Sequence, residues 1–530
     1  MGRSPPDGRV HDRSDDLADP LVVDAAARSE RTDVDLDTQR PHGVDRRGHV
    51  RAGPALDEGF DGELHALHDG SGYVIGSKPR TSGRTSPSQV DWNRSGTMTR
   101  TSSSTHPTGS FAGDGPTGTA YHARMTLDTL HDEALELQSK TVALRRAIHE
   151  RPELGNDLPI TRDAVLESLD GLPLDVTLHE TTSGISALLT GGRPGPTVLL
   201  RGDMDALPLQ EDTGVDFTSK SDGQMHACGH DTHTAMLSSA AKILAAHRDE
   251  IPGRVLFMFQ PGEEGHHGAK FMLDEGLLDV PPLADGTESP VTGAFALHIT
   301  STIPTGVVAT KGGAILASAD EFVIRVHGSG GHASAPAHAI DPVPIACEIV
   351  LALQTMITRR IDTFDPAVVT VGQIHAGTKN NIIPPVAEIN GTIRTFSEQT
   401  RRQVHDNMQR VAEKIAEAHG ATAEPEIIHG YGVTANNHEF ARFTLAAARD
   451  VIGHERVVEL PNPVMAAEDF SYVLDEIPGA MMFLGGTHPD RDPRTAPANH
   501  SNLVTFDEAA MSTGVEMYAQ MALRHLGVAE

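Results

Sequence analysis

The chain has 530 residues and a formal net charge of −30, from 73 acidic against 43 basic side chains. That length exceeds one ordinary domain, and that charge repels phosphate backbones and anionic lipid, which argues against nucleic-acid or membrane partners. Two cysteines, Cys228 and Cys347, are too few for a disulfide framework; with no membrane-length apolar run and no signal-peptide core, the expected address is cytoplasmic.

Residues 1–123 are dominated by Arg, Asp, Gly, Ser, Thr, Pro and His and lack any sustained apolar period. They read as a disordered extension, or as sequence upstream of an internal start at Met98 or Met125. From Met125 onward, Leu127, Leu130, Leu135, Leu137, Val142, Leu144 and Ile148 recur in a helix-like pattern before Pro152. The runs VTLHE, ISALLTG and TVLLRGD then read as strands, ACGHDTHTAMLSSAAKILAAH as an amphipathic helix, and RVLFMFQPGEE as a buried strand entering a turn. That alternation predicts an α/β domain with a mixed or largely parallel sheet and functional groups at strand ends.

Between residues 313 and 430 the pattern changes. EFVIRVHG, AVVTVGQIHAG, VAEINGTIRTF and TAEPEIIHG read as strands, and the stretches beginning DPVPIACEIV and EQTRRQVHDN read as helices. The order β-α-β-β-α-β is that of a ferredoxin-like sandwich inserted into the larger domain. The larger domain then comprises residues 124–312 and 431–530, where VVELPNPVMAAEDFSYVLDEI and GAMMFLGG return to the α/β style.

Chemistry concentrates in short stretches. MHACGHDTH sets Cys228 and His230, soft and borderline donors for a transition metal, directly before a helix. Alone, such a pair is also what a buried thiol beside a structural histidine looks like. PGEEGHHG places Glu263 and Glu264 after an apolar strand, where one carboxylate can ligate a metal and its neighbour can move a proton; elsewhere a Glu pair is commonly a solvated turn. RGDMDALP supplies Asp203 and Asp205, suited to ligation or to orienting a ligating imidazole. His298 follows the apolar GAFAL at an expected strand end, and His500 lies in PANHSN. Together Cys228, His230, Glu264, His298 and His500 exceed what one tetrahedral ion needs, so two ions sharing a ligand are implied if all five bind.

The ordered series RGDMDALPLQ, HACGHDTHTAML, FQPGEEGHHGAKFMLDEG, ALHI, GSGGHASAPAHAIDPV, NIIP, AAEDFS and NHSN resembles the motifs of the aminoacylase and carboxypeptidase superfamily of metallohydrolases. The branch it resembles holds hippurate hydrolase, N-acetyldiaminopimelate deacetylase and auxin-conjugate hydrolases, and the likeness runs from about Met125 to the C-terminus. The resemblance implies a zinc-peptidase-like catalytic domain with an inserted lid that dimerises, and two divalent ions per subunit, zinc or manganese, with cobalt or nickel as alternatives. It assigns the five donors above as ligands, Glu263 as general base and Asp205 as an aspartate supporting the ligands. It implies that His332 reaches the neighbouring subunit's site, and that Asn380 or Asn381, with Arg394, holds a substrate carboxylate. The implied reaction is hydrolysis of an N-acyl amino acid or a related small amide, with His332 donating to the developing oxyanion. Two other readings stand beside it: a metal-independent thiol hydrolase using Cys228, and a noncatalytic small-molecule binder on the same scaffold.

Overall fold

The computed structural model describes residues 127–528, so the reading of residues 1–123 as an extension or an internal start lies outside the described residues. In chain order the strands are β1 (Leu174–Leu178), β2 (Ile185–Thr190), β3 (Arg193–Asp203), β4 (Pro252–Gln260), β5 (Val291–Pro304), β6 (Val308–Thr310), β7 (Gly313–Leu316), β8 (Asp320–His327), β9 (Gly331–His332), β10 (Ala367–Ala376), β11 (Ile382–Ile383), β12 (Val386–Thr395), β13 (Thr422–Ile428), β14 (Thr434–Asn436), β15 (Val457–Glu459) and β16 (Gly479–Thr487). The helices are α1 (Leu127–His149), α2 (Pro159–Leu169), α3 (His230–Ala246), α4 (Gly268–Asp274), α5 (Pro342–Arg360), α6 (Glu398–Ala418), α7 (His438–Ile452), α8 (Ser471–Glu476) and α9 (Ala510–His525).

The larger sheet has eight strands in the order β1-β2-β4-β3-β5-β16-β6-β15. It is mixed: β4, β3, β5 and β16 run parallel, whereas β1–β2, β2–β4 and β16–β6 are antiparallel. The central strands are near-continuous apolar runs because both of their faces are covered. Val198 and Leu200 of β3, with Val255, Phe257 and Phe259 of β4, face a core shared with α1, α3, α7 and α9. The alternate residues Leu199, Leu256 and Met258 face a second core that includes Ala269 and Met272 of α4 and Val473 of α8. A three-layer α/β/α body results.

Helix α3 departs from the amphipathic expectation. Residues His230 through Ala241 are all buried, because α1 and α9 cover the side that the sheet does not. A helix apolar or small on every face belongs inside a large core.

Residues 320–428 form a second unit around a four-stranded antiparallel sheet of order β10-β12-β8-β13, with the chain order β8-α5-β10-β12-α6-β13. Its own core joins Phe322, Ile324 and Val326 of β8 to Ile345, Ile349 and Leu353 of α5 and to Val404, Met408 and Ala412 of α6. Both helices start on side-chain caps: Asp341 accepts from Val343 N, with Pro342 next, and Ser397 accepts from Thr400 N. Pro425 is tolerated in β13 because that strand is an edge.

Candidate metal centre

In the larger sheet β3 is followed in sequence by β4 on one side, and the chain then crosses to β5 on the other. The carboxyl ends of these three parallel strands open on the crevice where open α/β sheets carry their sites. Strand β3 delivers Asp203 and then Asp205, β4 delivers the turn bearing Glu263 and Glu264, and the first residue of α3 is His230. His298 was expected at a strand end, yet β5 continues through it to Pro304, and the residue reaches the site from within the strand.

Two local backbone features set the donors. Gly229 has φ +95°, and a Cβ there would lie 2.4 Å from Ile299 Cγ2, so only glycine lets Cys228 and His230 flank that bend. His500 itself sits at φ +68°, a conformation uncommon for a residue with a side chain. It is held by His500 N donating to Ala227 O at 2.9 Å, while Asn499 Nδ2 donates to Cys228 O at 2.9 Å and Ile299 O at 3.0 Å.

The five expected donors converge. Cys228 Sγ lies 3.4 Å from His298 Nε2 and 3.3 Å from His500 Nε2, and His500 Nε2 lies 3.2 Å from Glu264 Oε1. Two donor triads overlap at the sulfur, Cys228–His230–His298 and Cys228–Glu264–His500, each with its ligand atoms within 4.8 Å of one another. Thiolate, imidazole and carboxylate are the donors a zinc-like ion takes, and a shared sulfur between two triads fits a pair of ions. His230 Nε2 supports that fit, since it is fully buried without a hydrogen-bond partner. On its other side His230 Nδ1 faces Asp205 Oδ1 at 3.3 Å. His298 Nδ1 donates to Ile299 O at 2.7 Å, which leaves the Nε2 lone pair directed at Cys228.

Asp205 also binds the turn after β4, accepting from Glu263 N and Glu264 N at 3.0 Å each. The two glutamates then diverge electrostatically. Burial, followed by the charges of Glu468 and Glu264, pushes Glu263 well above the usual carboxylate range. Burial opposes ionisation of Glu264 too, but His500 and His230 hold it below that range. Paired carboxylates pushed apart in this way suit one ligand and one proton carrier.

Sequence reasoning missed the charge layer beneath. Arg201 is fully buried and its guanidinium reaches Asp203 Oδ2 at 2.7 Å, Glu468 Oε1 at 2.7 Å, Asp469 Oδ1 at 3.3 Å and Gln260 Oε1 at 2.8 Å. One cation thus gathers three buried carboxyl groups beneath the site, and burial raises Glu468 and, more strongly, Asp469 above their ordinary range. His233 was also passed over, although it lies in the quoted HDTH. Its Nδ1 donates to Asp203 Oδ1 at 2.5 Å while its Nε2 accepts from Ile299 N at 2.7 Å, so both nitrogens are used and it braces β3 against β5. The AAEDFS motif was the available signal for Glu468 and Asp469.

The expected substrate-binding residues lie apart from this cluster. His332 is exposed, on a short ribbon pairing Ile382 with His332, and its Nδ1 accepts from Ser334 Oγ at 2.7 Å. Asn380 and Asn381 are exposed on the same ribbon's loop, and Arg394 is on β12. Burial, opposed by Asp320 and Glu321, lowers the Arg394 guanidinium below its usual value. Among the described residues, no hydrogen bond or ion pair joins these four to the metal donors.

A three-layer α/β body whose strand ends assemble overlapping Cys/His/Glu triads, with Glu263 close to His230 and Glu264, defines a metallohydrolase. Residues 199–524 match the family described as Peptidase family M20/M25/M40. The chain is 39% identical over 402 residues to thermostable carboxypeptidase 2 of Saccharolobus solfataricus, covering 75% of this chain and 98% of that protein. It is 38% identical over 389 residues to IAA-amino acid hydrolase ILR1-like 2 of Arabidopsis thaliana, covering 73% of this chain and 85% of that one. Among solved structures, the Bacillus subtilis YXEP protein, a dinuclear metal binding peptidase from the M20 family, superposes with a TM-score of 0.63 at 31% identity, over 74% of this chain and 99% of that chain. The chain belongs to the M20/M25/M40 peptidase family and is a metal-dependent amidohydrolase.

Proposed function

We propose that the chain hydrolyses the amide bond of an N-acylated amino acid, with Cys228, His230, Glu264, His298 and His500 holding two divalent ions and Glu263 carrying the proton. The observation that supports this most is the pair of donor triads meeting at Cys228; Glu263 belongs to neither, although it forms a further group with His230 and Glu264, and its raised carboxyl is what favours the proton carrier over a ligand. Bound there, zinc or manganese would supply Lewis acidity and a water that ionises near neutral pH; cobalt and nickel suit the same donors. Glu263, with its Oε2 3.9 Å from His230 Nε2, takes the attacking water's proton and returns it to the leaving amine. Asp205 keeps that carboxylate in place through the turn's backbone.

The unit spanning residues 313–430 is read as a ferredoxin-like lid and dimerisation domain, on its strand and helix order. In a homodimer His332 would reach the partner's site, and its occupied Nδ1 leaves Nε2–H as the donor to the oxyanion. Arg394, half-buried and near the charges of Asp320 and Glu321, offers its fork to the substrate carboxylate beside Asn380 or Asn381. A carboxylate grip favours an amino-acid product, in line with the IAA-amino acid hydrolase among the relatives. No described helix is long and apolar enough to cross a membrane, and we place the enzyme in the cytoplasm.

The test is hydrolysis of N-acetyl amino acids, hippurate and indole-3-acetyl amino acids before and after chelation. Activity should vanish on chelation and return with zinc or manganese. Activity that survives chelation but stops on alkylation of Cys228 would instead support the thiol reading, and inertness toward every amide would contradict the proposal.

A further inference from the structure

The turn carrying Glu263 and Glu264 is a tight one, with Gly265 N donating to Glu263 O at 2.8 Å. Asp205 holds it from the β3 side. The turn's remaining backbone hydrogen bonds go, among the described residues, to the side chain of Tyr431, which is 7% exposed. The Tyr431 hydroxyl accepts from Gly265 N at 2.7 Å and donates to Glu263 O at 2.5 Å. Both hydrogen-bonding capacities of the phenol are therefore spent on the peptide units that fix where the Glu263 side chain begins.

Tyr431 also stands where the chain returns from the inserted unit. Its carbonyl accepts from Ala319 N at 3.0 Å, and Ala319 is where the chain enters that unit. The two crossings are pressed together: a Cβ on Gly430 would lie 2.0 Å from Ala319 O, and Gly430 N donates to Asp320 Oδ1 at 3.1 Å. One residue thus touches the turn of the proton carrier through its side chain and the junction of the insert through its backbone. Tyr472 holds the far end of the same loop through its hydroxyl and His267 Nδ1 at 2.8 Å, where Tyr431 makes only a longer contact, its hydroxyl accepting from His267 N at 3.5 Å.

We infer that Tyr431 is a positioning residue for catalysis, fixing the Glu263 turn and tying it to the junction where the chain enters and leaves the second unit. The inference rests on Glu263 as the proton carrier. Removing the hydroxyl frees one side of the turn, while Glu264 on the same turn keeps its backbone bond to Asp205 and the other four metal donors and the substrate-binding residues are untouched. A misplacement of about 1 Å at a catalytic group costs on the order of 100-fold in rate.

The experiment uses Tyr431→Phe, Tyr472→Phe, Glu263→Gln and the double variant Glu263→Gln/Tyr431→Phe in the metal-loaded full chain. Tyr431→Phe should lower kcat by about 10- to 100-fold with KM changed less than about threefold and metal content as in the wild type. Tyr472→Phe should change kcat less than about threefold. In the Glu263→Gln background the further loss from Tyr431→Phe should be under about twofold, since the turn then has no proton carrier to place. The inference is overturned if Tyr431→Phe keeps wild-type kcat, loses metal, raises KM in parallel, or multiplies fully with Glu263→Gln. It is likewise overturned if Tyr472→Phe matches its effect. Should Glu263→Gln itself remain active, the assignment of the base fails; a dead Glu263→Gln beside a fully active Tyr431→Phe removes only the role of Tyr431.

Discussion

Replacing Arg201 by methionine isolates the contribution of the charge layer under the metal centre. Methionine fills a similar volume without charge, leaving Asp203, Glu468 and Asp469 buried and without their common cation. Breaking a buried ion pair from one side costs about 3–5 kcal/mol, because the surviving charge loses both water and partner. Arg201 is fully buried and serves three carboxylates, so the upper half of that range is expected, measured as a loss of unfolding free energy in urea after chelation. The deficit should depend on pH. Burial outweighs the Arg201 charge and already raises Glu468, and it raises Asp469 more strongly. A carboxylate with a raised folded pKa adds stability below its unfolded value and loses it as pH rises toward the folded one. Without Arg201 that window extends upward, so the deficit should be larger at pH 8 than at pH 5. Adding Glu468→Gln should recover at least about 1 kcal/mol, because an unpaired buried charge has been removed. A loss below about 1 kcal/mol, or one independent of pH, would refute the account of a charge layer held by one arginine.

Gly229→Ala should reduce bound metal below two equivalents per chain in elemental analysis, since its Cβ collides with Ile299 and its φ of +95° is hostile to a side chain. His233→Ala, which removes the brace on Asp203, should weaken metal binding by about 10- to 100-fold in competition with a chelating dye. Metal uptake should release protons. His500 is pushed up to about 10 by Cys228 and Glu264, burial and Glu264 raise the Cys228 thiol, and Asp203 and Cys228 outweigh burial to raise His230. Calorimetry at pH 7.5 in buffers of different ionisation enthalpy should therefore report about two protons or more released per chain, and a buffer-independent heat would contradict it. For the proposed shared site, mixing inactive Glu263→Ala and His332→Ala homodimers under verified subunit exchange should restore turnover, and no recovery would place His332 outside the partner's site.

The parts of this centre that the sequence revealed are those held in one short stretch. Glu263 and Glu264, and Asp203 and Asp205, each lie at the end of an apolar run, and Cys228 and His230 lie directly before a helix, so residue type and element ends both pointed to them. The strand and helix order of the second unit was legible for a similar reason, being local periodicity closed by caps. His298 was found for its neighbours and misplaced along its strand, because nothing in GAFALHI marks where pairing to β16 stops. The full burial of α3 was hidden, since α1 and α9 come from opposite ends of the described chain to cover it. Arg201 was passed over although it opens the RGDMDALP stretch: its partners Glu468 and Asp469 lie more than 260 residues away, and an arginine in a strand has no pattern that announces a buried cation. Tyr431 escaped for the same reason, as its role consists of hydrogen bonds to backbone 166 and 168 residues distant.

The central claim is that Glu263 moves protons while its neighbour Glu264 holds metal, and the two glutamine variants test it side by side. Elemental analysis after dialysis should find two metal equivalents in Glu263→Gln with turnover lower by about 100- to 10,000-fold, the usual worth of a general base. Glu264→Gln should instead lose metal. Equal metal loss in both variants, or a Glu263→Gln enzyme that turns over like the wild type, would contradict the account.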